Sequence, residues 1–186
     1  MKRVLFVIGS PGGDIAGIDE LADAIYAARE KKPVVASMAS VGASGAYYIA
    51  CAADTVYALS GTMTGSIGVI LQFFDVSTGM QKLGIVAESI TGGELKSAGS
   101  SFRPMTDAER RYFEDMARDV HDQFKEAVAS GRGMSRQQVE EYADGRVLTG
   151  RQALSAGLID KLGGLDEVIE DAGKRGGIEG KPRIIW

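Results

Sequence analysis

The sequence predicts an α/β fold, and three observations carry that prediction. Short apolar runs of strand length end in glycine-rich turns. Stretches with apolar residues at helical spacing lie between them. The two patterns alternate along all 186 residues, as they do where helices cover a sheet. The length suits one domain with one sizeable core. No internal repeat, low-complexity tract or linker interrupts it, so residues 1–186 are expected to form a single domain.

The first element is Val4-Leu5-Phe6-Val7-Ile8, a continuous apolar run stopped by Gly9-Ser10-Pro11-Gly12-Gly13. It reads as a buried strand entering a turn. Asp14 can cap the next helix, where Ile15, Ile18, Leu21, Ala22, Ile25 and Ala28 recur at helical spacing. Lys31-Lys32-Pro33 ends that helix. Val34–Met38 is a second strand, and Gly42-Ala43-Ser44-Gly45 turns into a small-residue helix over Ala46–Ala53. Thr55–Leu59, Ile67–Phe73 and Ile85–Ile90 are expected as strands, with a short amphipathic segment at Ser77–Leu83. Thr91–Ser101 is a Gly/Ser-rich loop holding Lys96. The longest helix opens at Thr106, which pairs with Glu109 in the pattern of a capping box. Its apolar stripe is Tyr112, Phe113, Met116, Val120, Phe124 and Val128. A shorter helix starts near Ser135, Val147-Leu148 is a short strand, and helical pieces begin at Gly150 and Leu165.

Composition narrows the function. The net charge is −4 with no basic block, which argues against nucleic acid as a partner. The single cysteine, Cys51, lies in the apolar stretch Ile49–Ala53 and reads as a small buried hydrophobe. No clustered His, Cys and carboxylate spacing predicts a metal site, and the glycine clusters lack the phosphate-binding G-x-x-x-x-G-K-[ST] pattern, so neither metal nor cofactor is expected. The opening apolar run is far shorter than the roughly 20 residues of a membrane span. The chain as written therefore reads as cytoplasmic or otherwise soluble. A membrane association would need an anchor upstream.

Three features could carry chemistry. Ser44 sits in a strand–turn–helix setting with small neighbours, where a hydroxyl can be exposed on a rigid turn. The pattern is not the G-x-S-x-G elbow, since Ala46 takes the last position, and on this motif alone helix packing is the simpler explanation. Gly12 and Gly13 follow a strand and can bring a backbone N–H close to a reacting carbonyl, although an ordinary turn would look the same. Lys96 is a lone lysine in a small-residue loop. An ordinary lysine has a pKa of about 10.4, so about one in 2,500 is uncharged at pH 7, and a base must be uncharged. His121 is the sole histidine, and its helical position gives no triad signature; any Ser-His-Asp mechanism would have to use it.

Taken together, several segments resemble the signal peptide peptidase A family in order and spacing. They are Ser10–Gly13, Lys32–Met38, Ala43–Ala50, Thr64–Ile70, Gly99–Thr106, Ala143–Ala153 and Gly157–Asp160. The resemblance covers nearly the whole chain. It implies a Clp protease–crotonase-like fold, a superhelix of repeated β-β-α turns, forming one peptidase domain. It implies that Ser44 is the nucleophile and Lys96 the general base of a serine endopeptidase. Ser66 matches a serine that hydrogen-bonds the lysine, and the oxyanion donors would be the N–H groups of Gly12, Gly13 and Gly45.

The same resemblance implies apolar peptide substrates such as remnant signal peptides, and a homo-oligomer with sites at subunit interfaces. Members of the family usually carry an anchor and one or more strands before the segment matching Val4–Ile8, so this chain reads as a peptidase domain lacking them: a trimmed domain, a phage-type relative or an anchorless form. Ala46 stands where a glycine is common, and Gly9 where an asparagine is usual. Two other readings share these features. A phage-type capsid maturation protease would use the same dyad. A crotonase-type acyl-CoA enzyme would share the oxyanion glycines but leave Lys96 without a task. An inactive scaffold would be expected to have lost the serine or the lysine.

Overall fold

The computed structural model describes residues 3–180 and 182–185. The chain divides into two compact units. One comprises the residues up to Gly68 together with those from Asp122 onward, and the other is Val69–His121. In chain order the elements are β1 (Val4–Ser10), α1 (Ile15–Arg29), β2 (Val34–Ala43), α2 (Gly45–Cys51), β3 (Thr55–Ala58) and β4 (Met63–Gly65). There follow α3 (Ser77–Lys82), α4 (Asp107–Arg132), α5 (Arg136–Glu140), β5 (Val147–Thr149), α6 (Gly150–Ser155), β6 (Lys161–Leu162) and α7 (Leu165–Arg175). The α/β class read from the alternation is the class observed.

The first unit is built around β2. Its residues Val34 to Met38 are all buried, and they pair in parallel with β1 and with β3. Its far end, Val41–Ala43, pairs in parallel with β4, which in turn pairs antiparallel with β5. β6 extends the sheet beyond β3. A strand buried on both faces can be apolar throughout, and this one is nearly so. The Asp14 carboxylate accepts the Gly17 N–H at 3.1 Å and starts α1, which turns Ile18, Ala22 and Ile25 into the core. Asp54 fixes the return of the chain, accepting the Val34 N–H at 2.7 Å and Arg29 Nε at 2.9 Å. Tyr47, Cys51, Val56, Val128, Val139 and Leu158 are among the fully buried side chains of this core. Each large aliphatic one contributes about 1.5–3 kcal/mol by leaving water.

The second unit contains α3, the first part of α4 and the loops around them. The Phe73 and Phe113 rings meet at 4.4 Å, with Tyr112 against Phe113 at 5.0 Å. Gly99 presses on this cluster, since a β-carbon there would stand 2.6 Å from Phe73 Cε1. The capping box read from the sequence is present. Thr106 N donates to Glu109 Oε2 at 2.9 Å, and Glu109 N donates to Thr106 Oγ1 at 3.2 Å.

Three sequence expectations are corrected. β1 is half-buried rather than buried, with Val7 44% exposed, because among the described residues it pairs only with β2. Ile67–Phe73 forms no strand; the strand is the shorter β4, and Gly65 at φ 72 turns the chain away after it. Ile85–Ile90 also forms no strand, and Val86 and Ile90 stand open to solvent. An apolar run becomes a strand only when a partner backbone takes up its N–H and C=O groups, and these runs have no ladder partner among the described residues. None of the described helices is long and apolar enough to cross a membrane.

Candidate active site

Ser44 is the residue between β2 and α2, and it has an uncommon backbone. Its φ is 53° and its ψ is −128°, and among the described residues the only other non-glycine with positive φ is Ser66, at 51°. A side chain in such a region costs about 1–3 kcal/mol, so the surroundings must hold it there. They do so through the main chain. Ser44 N donates to the Gly65 carbonyl at 2.8 Å, while the Ser44 carbonyl accepts the N–H groups of Tyr47 at 2.8 Å and Tyr48 at 3.0 Å. Ser66 N donates to the Arg146 carbonyl at 2.8 Å, and Gly145 N to the Ile67 carbonyl at 3.1 Å, which ties the Ser66 turn to the segment before β5.

The glycines expected beside Ser44 are there. Gly12 has φ +120°, and a β-carbon on it would stand 2.9 Å from Ser44 Cβ, 3.2 Å from Ser44 Oγ and 3.1 Å from Gly45 N. Glycine at this position keeps the space beside the hydroxyl clear. A β-carbon on Gly45 would meet Ile18 Cδ1 at 1.9 Å and would lie 3.4 Å from Gly13 N. The turn after β1 and the turn after β2 therefore meet, bringing Gly12, Gly13, Ser44 and Gly45 together. Ser10 shapes the first of these turns, since Gly12 N donates to its hydroxyl at 3.2 Å. Ser44 is half-buried and Gly13 exposed, so the cluster opens to solvent on one side.

Lys96 belongs to the second unit, where it is exposed in a run of turns; its own N–H donates to the Gly93 carbonyl at 3.2 Å. Cys51 is wholly buried, and burial pushes its thiol up to about 12, which excludes an ionised nucleophile there. His121 is half-buried, and its Nε2 has no hydrogen-bond partner among the described residues.

Sequence reading missed the long-range side-chain contacts of this unit. Tyr47, fully buried, donates its hydroxyl to the Leu158 carbonyl at 2.7 Å and anchors α2. Arg132 forks onto Asp160, Nη2 to Oδ1 at 2.7 Å and Nη1 to Oδ2 at 3.0 Å, and Asp160 accepts the Val56 N–H at 2.7 Å. Burial raises the Asp160 carboxyl, but these donors outweigh it and leave it below the usual carboxylate range. The partners lie far apart in sequence, and Gly157–Asp160 entered the sequence reading only as a segment of the family resemblance, with no contact assigned to it.

The profile of Peptidase family S49 matches residues 26–179. The chain belongs to peptidase family S49. Serine protease SPPA, chloroplastic, of Arabidopsis thaliana is 39% identical over 178 residues, covering 95% of this chain and 26% of the plant protein. Protease 4 of Haemophilus influenzae is 32% identical over 173 residues, and Protease 4 of Salmonella typhi 28% identical over 173 residues. Each alignment covers 92% of this S49 chain and 28% of the relative. The chain thus spans less than a third of the length of these curated relatives. The S49 match includes Ser44, Ser66 and Lys96 and begins after Gly12 and Gly13.

Proposed function

We propose that this S49 chain is a serine endopeptidase with Ser44 as nucleophile and Lys96 as general base. The observation that carries the reading is the setting of Ser44. A serine is held at φ 53° between a strand and a helix, with a glycine keeping the space beside its hydroxyl open. Backbone strain of this kind persists where one side chain has to be aimed. The relatives named as proteases support the reaction class.

In this mechanism the uncharged Lys96 amine takes the Ser44 proton as Ser44 Oγ bonds to the scissile carbonyl carbon. The N–H groups of Gly13 and Gly45, with Gly12 beside them, hold the negative oxygen of the tetrahedral intermediate. The C–N bond then breaks, and the Lys96 ammonium gives its proton to the departing amine. Water attacks the acyl-enzyme with Lys96 again as base, releasing the acid and restoring Ser44. Ser66 orients the lysine. A lysine serves as a base once water is kept from its amine, and Lys96 is exposed in the single chain, so substrate or a neighbouring copy covers it during turnover.

The two units together form one peptidase domain of the Clp protease–crotonase type. A homo-oligomer is part of this reading, supported by Ile70, Val86 and Ile90, which are 81, 91 and 96% exposed. The substrates are apolar peptides such as remnant signal peptides. Gly12, Gly13, Ala43 and Gly45 around Ser44 are small and uncharged, which suits small apolar side chains near the cut.

The test uses a serine-reactive phosphonate with the adduct located by mass spectrometry. Wild type is expected to carry it on Ser44. Hydrolysis of an apolar peptide is expected to vanish in Ser44→Ala and Lys96→Ala and to persist in His121→Ala. Labelling that survives Ser44→Ala would overturn the assignment.

A further inference from the structure

We propose that Arg103 and Glu109 are positioning residues for Lys96, clamping the loop that presents its amine. The proposal rests on the Ser44–Lys96 reading above and identifies what fixes the base in place.

The far end of the Lys96 loop is anchored, with Gly99 against Phe73 and Phe113 and the Ser101 carbonyl accepting Val76 N at 2.8 Å. Nearer Lys96 the backbone bonds are single-turn: Lys96 N to Gly93 O at 3.2 Å, Ala98 N to Leu95 O at 3.0 Å and Ser100 N to Ser97 O at 3.2 Å. Bonds of that kind leave a small-residue loop with many accessible conformations. The Arg103 side chain reaches the residue next to Lys96. Arg103 Nη2 donates to the Ser97 carbonyl at 3.1 Å and to the Ser97 hydroxyl at 3.0 Å. Ser97 follows Lys96 directly. Holding both its main chain and its side chain restricts the direction in which the Lys96 side chain leaves the backbone.

Arg103 is itself held. Its Nη1 donates to Glu109 Oε2 at 2.9 Å and to the Pro104 carbonyl at 3.3 Å, and its Nη2 also donates to Glu109 Oε1. Glu109 is only 3% exposed, in the first turn of α4, where the capping box fixes its carboxylate. The Arg103 guanidinium, then the Thr106 N–H, pull this carboxyl down to about 2, so it stays ionised at working pH. A planar guanidinium can engage a carboxylate and a loop at once, which a lysine ammonium does less well. The chain of contacts runs from a 26-residue helix through Glu109 and Arg103 to Ser97, one residue from Lys96.

A capping box alone needs only an acceptor at Glu109, and glutamine serves there as well as glutamate. Glu109→Gln therefore keeps the helix start and removes the charge that holds Arg103. Arg103→Lys keeps the charge and removes the fork. Both are made in the full chain and assayed on an apolar peptide, with amide hydrogen exchange followed over residues 92–100. In each variant kcat is expected to fall between about 10- and 100-fold from misplacement of the base. KM is expected to stay within about twofold, since substrate binding is untouched. The acidic limb of kcat/KM against pH moves, and loop amides exchange faster while those of β2 keep their protection. Wild-type kcat and pH profile in both variants, with Lys96→Ala inactive, would overturn the clamp. Unchanged loop exchange would overturn it independently of activity. Full activity in Lys96→Ala would instead sink the dyad reading, and loop exchange would still report on the clamp.

Discussion

The Ser44 N–H donates to the Gly65 carbonyl at 2.8 Å, so the turn after β2 is held by the end of β4, one residue before Ser66. The two non-glycine residues at positive φ among those described are thus joined through one hydrogen bond and one peptide link. Strain at both positions is maintained by the sheet pairing of β2 with β4.

The strain at Ser44 has a measurable consequence. Glycine tolerates φ 53° and alanine does not, so Ser44→Gly is expected to be more stable than Ser44→Ala by about 1 kcal/mol, after the extra freedom of unfolded glycine is counted. Both variants should be inactive. Thermal melts of the two variants, measured side by side, check the sign; an Ala variant as stable as the Gly variant would mean Ser44 is not strained.

Gly45 gives a second prediction. Its missing side chain is occupied by Ile18, whose Cδ1 would lie 1.9 Å from an added β-carbon. Gly45→Ala should cost about 1–3 kcal/mol by overpacking and depress activity by displacing the turn. Ile18→Val removes Cδ1 and should restore part of both losses in the double variant. The coupling, read from a double-mutant cycle in denaturant, should exceed the roughly 0.5 kcal/mol seen between independent sites.

Acid sensitivity follows from Glu109. Its carboxyl lies at about 2 in the folded chain, against an ordinary 4.5, chiefly because the Arg103 guanidinium donates to it. A lowered folded value means the unfolded chain takes up the proton first. The stabilisation is therefore complete above about 4.5 and drains away as pH falls towards about 2. Midpoints of chemical unfolding measured between neutral pH and pH 2.5 should drop less steeply in Glu109→Gln than in wild type. Parallel slopes would remove Glu109 from the account.

Arg132 should matter for stability. Its side chain is 7% exposed and satisfies both Asp160 and the Gly157 carbonyl. Arg132→Ala strands those acceptors and should cost about 2–3 kcal/mol, less than a fully buried pair because Asp160 reaches solvent. Equilibrium unfolding in urea checks it, and a loss within about 0.5 kcal/mol would place Arg132 with ordinary surface residues.

Much of the molecule was legible before any coordinates. Asp14, Thr106 and Ser135 mark helix starts because capping chemistry is local, and each start falls at or next to the marked residue. The turn carrying Ser44 and the glycines facing it were weak signals alone, since packing and ordinary turns use the same small residues, and they gained weight from the order of segments that resembles the signal peptide peptidase A family. The runs Ile67–Phe73 and Ile85–Ile90 misled, because periodicity reports what could pair and not whether a partner exists. The hold of Tyr47 on Leu158, and of Arg103 on Ser97 and Glu109, left no pattern in the sequence.

The sequence by itself determined the α/β class and where several helices start, because apolar period and caps are local chemistry. The residues worth testing came from the resemblance of its segments to the signal peptide peptidase A family. Tertiary structure alone decided how closely Gly12 and Gly45 approach Ser44, that Ser44 and Ser66 take positive φ, and which main-chain bonds hold them there. Those facts depend on contacts between segments distant along the chain, and a hydrogen bond across such a distance has no spacing by which to announce itself.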